Sequence, residues 1–179
     1  MSNTNLILEA LFTGADEAEC ARRDKEAQPI LQKEWMDDFL KGPYATKNSD
    51  GSYDVDGNVD MSKINFGKIP LKFNVVNGSF YCDGCGLTTL ENAPKIVRGS
   101  FWATHNLLTT LKESPKEVRG NYVVHNNKLT SLEGAPEYVE WNFNVWNNAV
   151  DFTEDDVRNH TKVGYAINVT HKSRMGQLE

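Results

Sequence analysis

The chain has 179 residues, of which 39% are hydrophobic, 25% charged and 10% aromatic, which excludes a disordered or collagen-like chain. Its 25 acidic and 19 basic residues give a net charge of −6, a poor balance for general nucleic-acid binding, which depends on neutralising phosphates. No run of about 18 apolar residues is present to span a membrane, and three cysteines are too few for a disulfide framework, so a reducing, cytoplasmic setting is expected.

Residues 1–45 read as helices. The apolar stretch 1–12 has no basic start and is interrupted by Glu9, so it is not read as a secretory signal. Asp16 and Glu19 have the spacing of a capping box. Pro29 suits the first turn of a further helix, in which Leu31, Trp35 and Phe39 recur every four residues with Met36 and Leu40 alongside. Gly42 and Pro43 stop it. This segment is expected to cap the domain that follows or to bind a partner. Residues 46–54 are polar and glycine-containing and read as a linker.

From Val55 the sequence repeats. Pro94, Pro115 and Pro136 are spaced by 21, as are Val76, Val97, Val118 and Val139. Leu87, Leu108 and Leu129 share the step, and so do Leu90, Leu111 and Leu132. Five such coils are expected, with the solenoid assigned to 55–150. Each coil has a short strand around the aromatic series Phe80, Phe101, Tyr122, Phe143. Alternation points these residues and Cys82, Ala103, Val124, Val145 inward, as the core. Asn106, Asn127 and Asn148 follow at a corner, where the amide can bond the backbone of neighbouring coils with both its donor and its acceptor. One coil cannot bury its apolar face, whereas a stack does. Residues 151–179 read as a C-terminal cap: a short helix capped by Thr153 and Asp156, then an edge strand alternating over 163–169.

The run Tyr122-x-Val124-x-x-Asn127-x-Leu129, followed by Thr-Ser-Leu-Glu-Gly-Ala-Pro, resembles a bacterial leucine-rich repeat of the short type. The wording Asn-Asn-Lys-Leu-Thr-Ser-Leu-Glu-Gly-Ala-Pro is similar to repeats of large tailed phages. The fold class the resemblance implies is an α/β solenoid, a leucine-rich-repeat-like curved parallel β-sheet. The resemblance also implies a phage-encoded factor that binds and inhibits or redirects a bacterial host protein. The chain departs from the pattern in having Phe or Tyr at the first strand position, and Cys85 and Ile64 at the asparagine position.

Three patterns suggest chemistry and are better read otherwise. Cys82 and Cys85 form a C-x-x-C without a second ligand pair, and in register Cys82 fills a small apolar slot. Asp54, Asp56, Asn58 and Asp60 resemble a calcium loop but lack its glycine and glutamate spacing. Asp83, Thr104 and His125 form a row across coils on the outer strand face, which reads as polar surface; an enzyme or nucleotide-binding protein using that row is the alternative reading, and a self-assembling module a second alternative. No cofactor or metal is expected.

What remains is a surface. The outward strand positions include Tyr81 and Asp83, Trp102 and Thr104, Val123 and His125, and Asn144 and Trp146. The tryptophans and tyrosine stand where the repeat requires no large aromatic, as at binding hot spots. These eight residues are the expected partner-binding face of a non-catalytic protein–protein interaction module, its partner a bacterial host protein.

Overall fold

The computed structural model describes residues 17–170, with side chains from residue 24. The chain divides into two units, Met1–Gly42 and Pro43–Glu179. In the first, α1 (Glu17–Lys41) is one helix with Pro29 inside it, so the helix expected to begin at Pro29 is not a separate element. A mid-helix proline costs about 3 kcal/mol, yet α1 continues through it. Leu31 and Phe39 are buried, and the rings of Trp35 and Phe39 stack at 5.2 Å. The expected Asp16 cap lies outside the described residues.

The second unit is a parallel β-solenoid of about six turns. Each turn contributes two very short strands, one to each of two sheets. The seven-stranded sheet holds β1 (Ala45–Lys47), β2 (Tyr53–Val55), β4 (Phe73–Val76), β6 (Ile96–Val97), β8 (Glu117–Val118), β10 (Tyr138–Val139) and β12 (Lys162–Val163), in that order. The six-stranded sheet holds β3 (Val59–Asp60), β5 (Phe80–Tyr81), β7 (Phe101–Trp102), β9 (Tyr122–Val123), β11 (Phe143–Asn144) and β13 (Ile167–Asn168).

Three expectations are corrected. Residues 46–54, read as a linker, carry most of the hairpin β1–β2, whose antiparallel pairing ends the seven-stranded sheet. The hairpin turn is fixed by Asp50, whose carboxylate accepts from the Ser52 hydroxyl at 2.6 Å and from Lys72 Nζ at 2.9 Å. Secondly, there are about six turns rather than five. The stretch read as one edge strand over 163–169 is the edge of both sheets: β12 and β13 pair in parallel with β10 and β11 and close a further turn. The step here is 24, Tyr138 pairing with Lys162 and Phe143 with Ile167. The longer step holds α2 (Glu154–Arg158), whose Val157 is fully buried. Thr153 and Asp156 form its capping box. Thirdly, each coil has two strands rather than one.

The core is a column of rings. Phe80 and Phe101 stack at 5.7 Å, Phe101 and Tyr122 at 5.5 Å, and Tyr122 meets Phe143 at 5.0 Å. All four are wholly buried, and the Tyr122 hydroxyl bonds Ser114 Oγ at 2.6 Å. The leucine pairs of the return paths lie beside them, also buried.

The corner asparagines use both ends of the amide. Asn127 Nδ2 donates to the carbonyls of Ala103 at 2.8 Å and Val124 at 3.1 Å, while Oδ1 accepts from the Leu108 amide at 3.2 Å. Asn106 does the same one coil earlier, with Cys82 O at 2.8 Å and the Leu87 amide at 3.0 Å. Cys85 stands at the equivalent place, and its thiol takes over one of these bonds, donating to Met61 O at 2.9 Å.

Two columns of backbone geometry set the corners. Gly78, Gly99 and Gly120 let successive coils approach closely: a Cβ on Gly99 would lie 2.8 Å from the backbone of Gly78. The second column is left-handed: Asn92, Glu113 and Gly134 have φ of 73°, 65° and 86°. A side chain other than Gly in this region costs about 1–2 kcal/mol. Glu113→Gly is therefore expected to raise stability by about 1 kcal/mol, part of the gain being offset by glycine's larger unfolded-state entropy; a denaturant melt checks it.

Candidate functional site

The outward face of the six-stranded sheet carries the sequence-predicted residues. One row runs in strand register through Asp60, Tyr81, Trp102, Val123, Asn144 and Asn168. The structure sorts the eight predicted residues into three groups.

Tyr81 and Trp102 are half-buried neighbours, with ring centroids 6.5 Å apart. Val123, next in the row, is only 2% exposed. It forms the floor of this stripe rather than a contact surface, because the larger side chains around it cover it.

Asp83 and Thr104 meet directly. Asp83 Oδ1 accepts from the Thr104 hydroxyl at 2.6 Å and from its amide at 2.8 Å. Thr104 is 5% exposed, so it too is not a contact residue. The imidazole at Thr104 is that of His105, with Nδ1 3.1 Å from Oγ1, and not that of His125. Asn126 Nδ2 lies 2.8 Å from His105 Nε2, and Asn147 Nδ2 donates to Asn126 Oδ1. The amides thus order a chain of donors that ends on Asp83. The Thr104 hydroxyl gives its proton to the carboxylate, and the row Asp83, Thr104, His125 does not assemble as a nucleophile with an imidazole base. His105, Asn126 and Asn147 also share a left-handed corner column, with φ of 52°, 56° and 53°.

His125 and Trp146 form the third group, their rings stacked at 4.0 Å and 13°. Asn144 lies beside them on β11, and its Oδ1 accepts from Asn168 Nδ2 at 2.6 Å. Trp102 and Trp146 are half-buried, not prominent; the most exposed aromatics of the solenoid are Trp141 at 55% and Tyr165 at 81%. Both occupy the glycine column. Tyr165, Asn168 and Trp141 were missed in the sequence. Trp141 is visible in retrospect as the residue that replaces Gly120 one repeat later, whereas the step of 24 hid the other two.

The remaining chemical candidates do not converge. Burial pushes the Cys82 thiol well above its ordinary range and the Cys85 thiol up to about 12, which keeps both protonated. Cys82 Sγ donates to Trp102 O at 3.2 Å. Asp54 lies on one sheet and Asp60 on the other, and Asp54 accepts from Asn74 Nδ2 at 2.8 Å and the Val75 amide at 3.1 Å. No group of three or more potential metal ligands occurs among the described residues, and no helix there is long and apolar enough to cross a membrane.

Hydrogen bonds from Ser52 hold the Asp50 carboxyl well below the ordinary 3.8, and bonds from Asn74 and Thr153 lower those of Asp54 and Asp156. Depressed folded-state values give stability that is complete above the unfolded value and lost as pH falls through the folded ones. Stability is therefore expected to be flat above about pH 5 and to fall below about pH 4. Asp50→Asn is expected to make that fall shallower in a series of pH-dependent melts.

No family model, curated protein or solved structure matches the chain.

Proposed function

We propose that the chain is a non-catalytic interaction module that holds an extended segment of another protein along the stripe of Tyr81 and Trp102. The observation that carries this reading is the ring spacing. The two rings lie 6.5 Å apart. Alternate side chains of an extended segment repeat every ~6.6–6.8 Å. Side chains i and i+2 of such a segment thus meet the two rings, with Val123 buried next to Trp102 in the same row. The support beneath is rigid, since every strand of the face is bonded to its neighbours in unbroken register.

Size favours a segment over a whole domain surface. Six strands ~4.8 Å apart span ~24 Å and the outward positions of each coil cover ~15 Å, a projected ~360 Å², less than half of the ~800 Å² per partner of a standard interface. The leucine-rich-repeat resemblance supports a bacterial host protein as the partner and a phage-encoded inhibitor as the role. The free, buried thiols of Cys82 and Cys85 fit a reducing cytoplasm.

The test compares the wild-type chain with Trp102→Ala in a pull-down from bacterial lysate, followed by titration of the purified retained protein and of its overlapping peptides. One protein bound at a fixed stoichiometry through one short segment, with at least tenfold weaker binding to Trp102→Ala at unchanged melting temperature, supports the reading. Equal binding by the variant, or no peptide that binds, overturns it.

A further inference from the structure

We propose that the groove between the last two turns is a binding site for a neutral, polyhydroxylated ligand, a saccharide, separate from the Tyr81–Trp102 stripe. The groove encloses about 430 Å³ and is lined by Asn142, Asn144, Trp146, Tyr165, Asn168 and Thr170, with Ala166. That volume lies within the range of small-ligand sites.

The lining carries no carboxylate, ammonium, guanidinium or imidazole. A phosphate, carboxylate or amine ligand would give up hydration on its contact side without meeting a counter-charge. An uncharged ligand rich in hydroxyls meets no such penalty.

The floor is made of amides whose orientation is already fixed. Asn168 Nδ2 donates to Asn144 Oδ1, and Asn142 Nδ2 donates to Asn121 Oδ1 at 2.8 Å. These bonds leave Asn144 Nδ2 as a donor, and Asn142 Oδ1 and Asn168 Oδ1 as acceptors, none with a partner among the described residues. Adjacent hydroxyls of a sugar ring each donate and accept, and so match a surface that offers both at fixed positions. Because the amides hold one another across coils, little ordering remains to be done on binding.

Aromatic rings stand on both sides of this floor. Residues 142 and 146 lie four apart along one strand direction, ~13 Å. Trp146 stands at one end, set by its stack on His125, and Tyr165 at the other, beside Ala166. The face of a sugar ring presents C–H bonds with partial positive charge, which pack on the negative face of an aromatic ring.

Tyr165 and Trp141 also have no role in the stack. They follow Gly120 in the column that elsewhere lets coils touch, and the corner bonds lengthen where they stand. Gly99 and Gly120 donate to the preceding corner carbonyl at 2.9 and 2.8 Å, whereas Trp141 and Tyr165 do so at 3.3 and 3.2 Å. The corner is thus looser where these two aromatics stand in solvent, and of the two Tyr165 lines the groove. A ligand contact accounts for that where packing does not.

The test titrates the full chain with neutral hexasaccharides (cellohexaose, maltohexaose, fully N-acetylated chitohexaose, mannohexaose) up to about 10 mM, which detects affinities down to the millimolar range. Side-chain amide resonances and tryptophan fluorescence are followed together. The expected result is saturable shifts of the Asn144 and Asn168 amide signals with at least one sugar. Tyr165→Gly, which restores the column residue, is expected to keep or raise the melting temperature and to weaken binding at least tenfold. Trp102→Ala is expected to bind the sugar as the wild type does, which separates this site from the protein-binding stripe. No saturable shift with any of the sugars, or shifts undiminished in Tyr165→Gly, overturns the proposal. So does occupation of the groove by the partner's peptide, read as shifts of the same amide signals.

Discussion

Asn127→Ala is expected to destabilise the solenoid by about 3 kcal/mol or more, since it strands the Leu108 amide and the Ala103 and Val124 carbonyls in the interior, each at a cost of about 1–3 kcal/mol when unsatisfied. Asn127 is 4% exposed, so water does not replace the lost partners. The order among variants is as informative as the size. Asn127→Cys is expected to lose less than Asn127→Ala, because Cys85 already donates across coils at the equivalent corner. Asn127→Asp is expected to lose more, because a carboxylate there accepts from Leu108 but donates to neither carbonyl and buries a charge. Urea melts of the three variants, compared at constant m-value, check the series. Equal stability of wild type and Asn127→Ala would mean that the corner amide does not join the coils.

Phe101→Ala carries the second large effect, about 4 kcal/mol. Its ring is wholly buried between Phe80 and Tyr122, so truncation leaves a cavity at two coil interfaces at once. In a stack stabilised by nearest-neighbour terms, such a break in the middle is expected to uncouple the two halves. Melting should then broaden or split into two transitions by circular dichroism. Phe101→Leu refills most of the space and is expected to cost about 1–1.5 kcal/mol with a single transition.

The repeat of 21 made the inward set legible, because Phe80, Phe101, Tyr122 and Phe143 are apolar at every turn and one strand period apart from Cys82, Ala103, Val124 and Val145. The second strand of each coil was not legible. In Glu117–Val118 and Tyr138–Val139 a single buried valine is flanked by polar or half-exposed residues, which is too short for a period of two to register. Pro29 misled for a different reason. Its local preference for a first turn is real, yet the helix runs through it from Glu17 to Lys41. The outward face was correctly placed as a face but not as a site. Alternation says which way Val123 and Thr104 point, and not that their neighbours cover them. Tyr165 and Asn168 stayed hidden because α2 adds to the last step and moves them out of phase.

From β4 to β10 the step is a constant 21, which makes this part of the solenoid a ruler. The coils that begin at Gly99 and Gly120 enter their predecessors in the same way, by a close glycine corner, an inward asparagine amide (Asn106, Asn127) and a stacked ring (Phe101, Tyr122). Duplicating residues 99–119 would therefore insert one whole turn, keeping both native junctions and adding one new interface in which Phe101 meets its own copy and Asn106 its own. The aromatic stripe and the terminal groove would move apart by ~4.8 Å, one strand spacing, for each turn added. Distance between two recognition points is thus set by repeat number alone, and a ligand that must reach both would report that number.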